Sequence, residues 1–95
     1  MAAGDVFSAL SSIANNAFLA VRPGAGEEAV IHNIYYAGSV ELYFYDGTNS
    51  ILFDTAGGNG IYAYYVFHTT NSIYLRVKNV SGAAQYIGYD GVKTK

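Results

Sequence analysis

Cysteine is absent from the 95 residues, so disulfides and thiolate metal centres are excluded and the redox compartment leaves no mark on the chain. Charge is scarce too: Asp, Glu, Lys and Arg make up 13%, about half of the ~25% found in an average chain. Only five Lys and Arg stand against seven Asp and Glu, a formal charge of −2. Nucleic acid is therefore not expected as a partner, because phosphate binding needs a basic stripe. The apolar run at residues 61–67 falls far short of the ~20 residues a membrane-spanning helix requires, and no membrane partner is expected. Residues 1–22 lack a basic leader region, with Asp5 where positive charge belongs, so no secretory signal is expected. The triplet Asn79-Val80-Ser81 fits a glycosylation acceptor, but without an export signal chance is the better reading.

What the chain has instead is aromatic and apolar surface. Ten tyrosines and five phenylalanines lie in a sequence that is 52% hydrophobic. A tyrosine buries a large ring while its hydroxyl tolerates water, which suits contact with other protein and also the stacking of sugars. A domain of this size buries only about 60–65% of its potential surface on folding. Ordering costs of roughly 1.5 kcal/mol per residue nearly cancel that gain. Association with further copies or partners is the expected extra support.

Turn chemistry divides residues 17–95 into short strands. The expected strands are 17–22, 29–36, 40–45, 50–54, 61–69, 72–78 and 84–89. About seven to eight strands at roughly ten-residue spacing predict an all-β antiparallel sandwich, jelly-roll-like. Alternation sets the faces. Ile73, Leu75 and Val77 point inward, opposite Tyr74, Arg76 and Lys78. Val40, Leu42 and Phe44 point inward, opposite Glu41, Tyr43 and Tyr45. Residues 61–69 are apolar on both faces, with Tyr62 and Tyr64 on one of them, and predict a strand that is central or lies in an interface. Residues 1–16 form a separate segment: a first strand, a short docked helix, or an arm reaching a neighbour with Phe7 and Leu10. The arm is favoured.

Candidate chemistry is thin. Asp46-Gly47 reads as a hairpin turn, and Tyr-Asp-Gly at 89–91 as a second turn, leading from residues 84–89 into the last four residues. Glu27-Glu28 after Pro23-Gly24 reads as the solvated start of a strand. His32 and His68 lack the spacing of metal ligands and read as hydrogen-bonded strand residues. No Gly-x-Ser-x-Gly elbow is present, and Gly57-Gly58-Asn59-Gly60 leads to no helix that would hold a phosphate. No catalytic residue, cofactor or metal is expected, and the chain is not expected to be an enzyme. The informative surface residues are Tyr43, Tyr45 and Tyr74 with Arg76 and Lys78, the composition of buried interface centres.

Three stretches carry a family resemblance. "FLAVRPGAGEEAVIHNI" at residues 18–34, then "VELYFYDG", and "IYLRVKNVSGAAQYIGYDGVKTK" at the end are similar to small virion structural proteins of tailed bacteriophages. The shared pattern is a strand ending in Arg before Pro, here Val21-Arg22-Pro23, with a Glu-containing return to "IHNI". Late in the chain follow a "YLRVKN" strand and a last hairpin ending "GYDGVKTK". The resemblance covers residues 18–95, about four fifths of the chain. It implies a capsid cement or decoration protein, made in the host cytoplasm and placed on the capsid surface. Such a protein is a homo-oligomer, a trimer for instance, that binds the major capsid protein across its subunit junctions. The alternative, on the same tyrosines, is a carbohydrate-binding module of a tail or fibre protein.

Overall fold

The structure, a computed structural model, describes residues 4–58, 60–62 and 66–95. These residues form nine strands and no helix: β1 (Val6–Ile13), β2 (Phe18–Val21), β3 (Glu28–Tyr36), β4 (Val40–Tyr45), β5 (Ser50–Ala56), β6 (Gly60–Tyr62), β7 (Phe67–Thr70), β8 (Tyr74–Asn79) and β9 (Gln85–Lys93). A front sheet runs β1-β9-β3, with β6 and β7 both paired to the far edge of β3. A back sheet runs β2-β8-β4-β5. All pairings are antiparallel. Taking β6 and β7 as two parts of one edge, each sheet has four positions and the first four strands alternate between sheets, which is jelly-roll order.

The core follows from period-two alternation. Val21, Leu75, Val77, Val40 and Leu42 from the back sheet meet Ile31, Ile34, Ile87, Phe7 and Tyr89 from the front sheet, all buried. Phe7 and Tyr89 pack with ring centroids 5.2 Å apart. Phe44 and Ile73 continue the inward rows but lie where the sandwich opens, and they are 42% and 43% exposed. Phe44, Ile51, Phe53, Phe67 and Leu75 line an apolar mouth between the sheets.

Two polar clasps close other parts of the sandwich. Asn79 is wholly buried. Its Nδ2 donates to the Ile13 carbonyl at 2.8 Å and the Ala83 carbonyl at 2.7 Å. Its Oδ1 accepts from Gln85 Nε2 at 2.8 Å and from the amide and hydroxyl of Ser81 at 3.0 and 2.7 Å. Gln85 Oε1 accepts in turn from the amides of Ala37 and Gly38. One amide pair thus ties β1, the β3–β4 turn and the β8–β9 turn. The asparagine of the glycosylation triplet is spent in the interior.

The second clasp is Lys93, 2% exposed, whose ammonium pairs with Glu27 and lies 4.7 Å from the Phe7 ring centre. Glu27 is therefore not a solvated strand start. The hydrogen bond from Lys93, helped by the Gly24 amide, holds its carboxyl at about 2, below its ordinary 4.5.

The structure corrects several sequence expectations. Within residues 1–16 it is the first strand that forms, not the arm or the helix: β1 pairs with β9 from Val6↔Val92 to Ile13↔Gln85. Its alternation was masked because Val6 and Leu10 sit on the outward row while small Ala9 and Ser11 share the inward row with Phe7 and Ile13. Residues 61–69 contribute two short strands, β6 and β7, at the edge of the sheet and not its centre. Residues 63–65, which include Tyr64, lie outside the described residues. The second Tyr-Asp-Gly is no turn. β9 runs unbroken through Asp90 and Gly91, which pair with Asn33 and Ile31. A Cβ on Gly91 would fall 2.0 Å from the Val30 carbonyl oxygen, so this glycine serves close strand approach. The first copy is the turn expected: Gly47 has φ +95°. Asp46 Oδ1 accepts from the amides of Thr48 and Asn49 at 2.9 and 2.6 Å.

Candidate functional site

The outer face of the back sheet collects most of the residues singled out above. Register places Phe18, Lys78 and Glu41 in one row across β2, β8 and β4, and Ala20, Arg76 and Tyr43 in the next. Tyr74 lies opposite Tyr45 in a third. Alternation along each strand aims these side chains away from the core, and the twist of the sheet brings neighbouring rows into contact.

The cations and rings interlock. The Arg76 guanidinium lies 4.0 Å from the Phe18 ring centre and 3.7 Å from that of Tyr45. Arg22, which follows β2 and continues its outward row, lies 4.8 Å over Tyr74, and Lys78 lies 5.7 Å from Phe18. Phe18 meets Tyr43, and Tyr45 meets Tyr74, edge to face at 5.5 Å. This packing buries Tyr74 although it faces outward. Tyr43 donates its hydroxyl to Glu41 at 2.6 Å, and that bond together with partial burial raises its pKa. Cation–ring contacts of this kind are worth about 0.5–2 kcal/mol each.

The charge distribution is uneven. Of the five Lys and Arg, Lys93 pairs with Glu27 and Lys95 approaches Glu28 at 4.0 Å. The remaining three, Arg22, Arg76 and Lys78, all lie on this face with Glu41 as the carboxylate among them. Arg76 Nε is buried and has no hydrogen-bond partner among the described residues. A charge-poor chain has thus concentrated its available positive charge on an ordered aromatic plate.

The other singled-out residues lie elsewhere. Phe7 is in the core, held under Tyr89, and is no part of an outer surface. Leu10 is 70% exposed, on the outer face of the front sheet. Tyr62 pairs through its backbone with Ile34 at the front-sheet edge, and its side chain, like Tyr64, lies outside the described residues. His32 is the extra residue of a β-bulge between Ile31 and Asn33, and both it and His68 are exposed. No group of three His, Asp or Glu fit to hold a metal occurs among the described residues.

Sequence reasoning omitted Phe18 and Arg22 from the face. Alternation through Phe18, Ala20 and Arg22 was the signal that would have found them. It also missed a polar cluster on the front sheet. Asp90 Oδ1 accepts from Asn33 Nδ2 at 2.9 Å and Oδ2 from the Tyr35 hydroxyl at 2.5 Å. The bond to Asp90, with some burial, raises the pKa of Tyr35. This cluster borders a hollow of about 610 Å³.

No protein-family model matches the chain, and no curated protein sequence aligns with it significantly. Its fold is the all-β, two-sheet antiparallel sandwich described above.

Proposed function

We propose that this chain is a virion structural protein, a capsid decoration or cement subunit that docks through the outer face of its back sheet onto the major capsid protein. The observation that carries the reading is the Arg76 guanidinium, clamped between Phe18 and Tyr45 with a buried Nε that has no hydrogen-bond partner among the described residues, at the centre of a face that also gathers Arg22 and Lys78. Arg and Tyr fixed before contact lose little entropy on binding and are the side chains that dominate interface energetics. The resemblance to phage virion proteins supports the same reading. The jelly roll is compatible with it, as capsid domains use that fold.

The partner surface that fits is apolar at its centre and supplies carboxylates or carbonyl oxygens to Arg22, Arg76 and Lys78. Homo-oligomerisation, as a trimer for instance, would multiply the contact, so that modest single affinities give lasting attachment. The same plate is poorly suited to stacking sugars, because guanidinium groups already lie close to the rings of Tyr45 and Tyr74.

The test is binding of purified protein to shells that lack it, with protection of those shells against heat. Arg76→Ala, the loss of a central hot-spot side chain, should weaken attachment by about 2 kcal/mol or more, roughly 30-fold. Absence of binding by the unaltered protein would refute the reading, as would full binding by a folded Arg76→Ala variant.

A further inference from the structure

The outer face of the front sheet carries a second arrangement that docking through the back sheet leaves unused. In register, Leu10, Gly88 and Tyr35 form one row across β1, β9 and β3, and Ser8, Asp90 and Asn33 form the next. Gly88 is buried: a Cβ there would lie 2.7 Å from the Ala9 carbonyl oxygen and 3.0 Å from Leu10 Cδ1, so the Leu10 side chain leans over the middle of its row. A hollow of about 610 Å³ lies against Ser8, Leu10, Tyr35, Gly88 and Asp90, and Asp90 is the charged residue in its lining.

We infer that the Gly88 hollow is a binding site for one neutral sugar unit, with Asp90 as the acceptor of its hydroxyl protons. Each oxygen of Asp90 takes one protein hydrogen bond, from Asn33 and from Tyr35. An ionised carboxylate offers about four acceptor positions, so half remain for a ligand. Adjacent hydroxyls of a sugar ring present two donors at the spacing a carboxylate accepts, and bonds to a charged acceptor are the stronger kind. Leu10, 70% exposed, and the Tyr35 ring provide apolar walls for the C–H face of the ring. The bonds from Asn33 and Tyr35 hold the carboxylate in place before the ligand arrives, which lowers the entropic cost of binding.

The chemistry argues against other ligand classes. A lone carboxylate repels anions, and it is too few ligands for a resident metal. The site also gives the late Tyr89-Asp90-Gly91 a role that a turn does not: Asp90 supplies the acceptor. It is independent of attachment to a shell, which concerns the opposite sheet.

The test is an NMR titration of the ¹⁵N-labelled full chain with the methyl glycosides of glucose, galactose, mannose and N-acetylglucosamine. At least one is expected to produce saturable shifts centred on Leu10, Gly88 and the Asn33 side-chain amide. Asp90→Ala should weaken that binding roughly tenfold or more. Ser8→Trp, which leaves the Asn33–Asp90–Tyr35 bonds in place and fills the hollow, should abolish it and decides the matter if Asp90→Ala does not fold. Thr48→Ala, at the exposed β4–β5 turn of the other sheet, should leave the glycoside titration unchanged. The inference is overturned if no glycoside gives saturable shifts, if they map to the back sheet, or if they persist in a folded Ser8→Trp variant.

Discussion

Replacing Asn79 with alanine would delete an amide that donates to Ile13 and Ala83 and accepts from Ser81 and Gln85. The bonds to Ile13 and Gln85 are fully buried and the rest are near enough to the surface to be rehydrated. A buried polar group left without a partner costs about 1–3 kcal/mol. Two such groups give roughly 2–6 kcal/mol, with a central value of about 4 kcal/mol. That is a large part of the ~5–15 kcal/mol by which a domain is stable. At about 4–8 °C per kcal/mol for a domain near this size, the midpoint should fall by roughly 15–30 °C. Asn79→Asp provides a matched control in shape: it loses both donors and turns a carboxylate toward two carbonyl oxygens, so it should cost at least as much. Equilibrium urea unfolding, followed by circular dichroism, measures the loss and shows through an unchanged slope that the unfolded states are comparable. A folded Asn79→Ala protein that loses less than about 1 kcal/mol at constant slope would show that the clasp does not hold the sandwich ends together.

Two glycines and one carboxylate supply further tests. Gly91→Ala should cost about 3 kcal/mol or more, since its Cβ would meet the Val30 carbonyl oxygen at 2.0 Å. Gly47→Ala, at φ +95° with open space around it, should cost only about 1–2 kcal/mol in the same unfolding assay; equal costs would contradict the different roles given to the two positions. For Glu27 the folded-state pKa of about 2 lies below the ordinary 4.5 because of Lys93. A depressed carboxylate stabilises the fold above its unfolded pKa, and that contribution is lost as pH falls from about 4.5 through about 2. Glu27→Gln should therefore be less stable than the parent at pH 7, with the gap closing toward pH 2; a gap independent of pH would rule out the Lys93 pairing as its cause.

Much of the back sheet was legible because its strands alternate cleanly. Tyr74, Arg76 and Lys78 against Leu75 and Val77 define two faces with no other information, and β4 repeats the pattern. β1 was obscured because its outward row holds Val6 and Leu10, 69% and 70% exposed, so hydrophobicity no longer tracked the inside. Glu27 read as a solvated charge because its pairing with Lys93 spans 66 positions of sequence. Asp90, Asn33 and Tyr35 meet only through the β3–β9 register, and a bulge at His32 shifts that register by one residue. Local pattern reports which way a side chain points. It does not report which distant strand lies alongside, and the front-sheet cluster depends on that second fact.

The two Tyr-Asp-Gly copies show how the same three residues acquire opposite roles. At Asp46 the neighbouring amides of Thr48 and Asn49 are free to turn back, their hydrogen bonds lower the carboxyl's pKa, and Gly47 takes a positive φ that ends the strand. At Asp90 the flanking strands β1 and β3 already occupy both edges of β9, so the backbone amides are committed to the sheet and no turn can form. The carboxylate then finds partners across the sheet in Asn33 and Tyr35, and Gly91 is needed because β3 approaches too closely for a Cβ. An edge or end position makes Asp-Gly a turn; a central position converts it into a fixed acceptor on a flat face. The hollow bordered by Leu10 and Tyr35 makes that second outcome useful, since the same central strand that immobilises Asp90 also holds its carboxylate at the edge of that hollow.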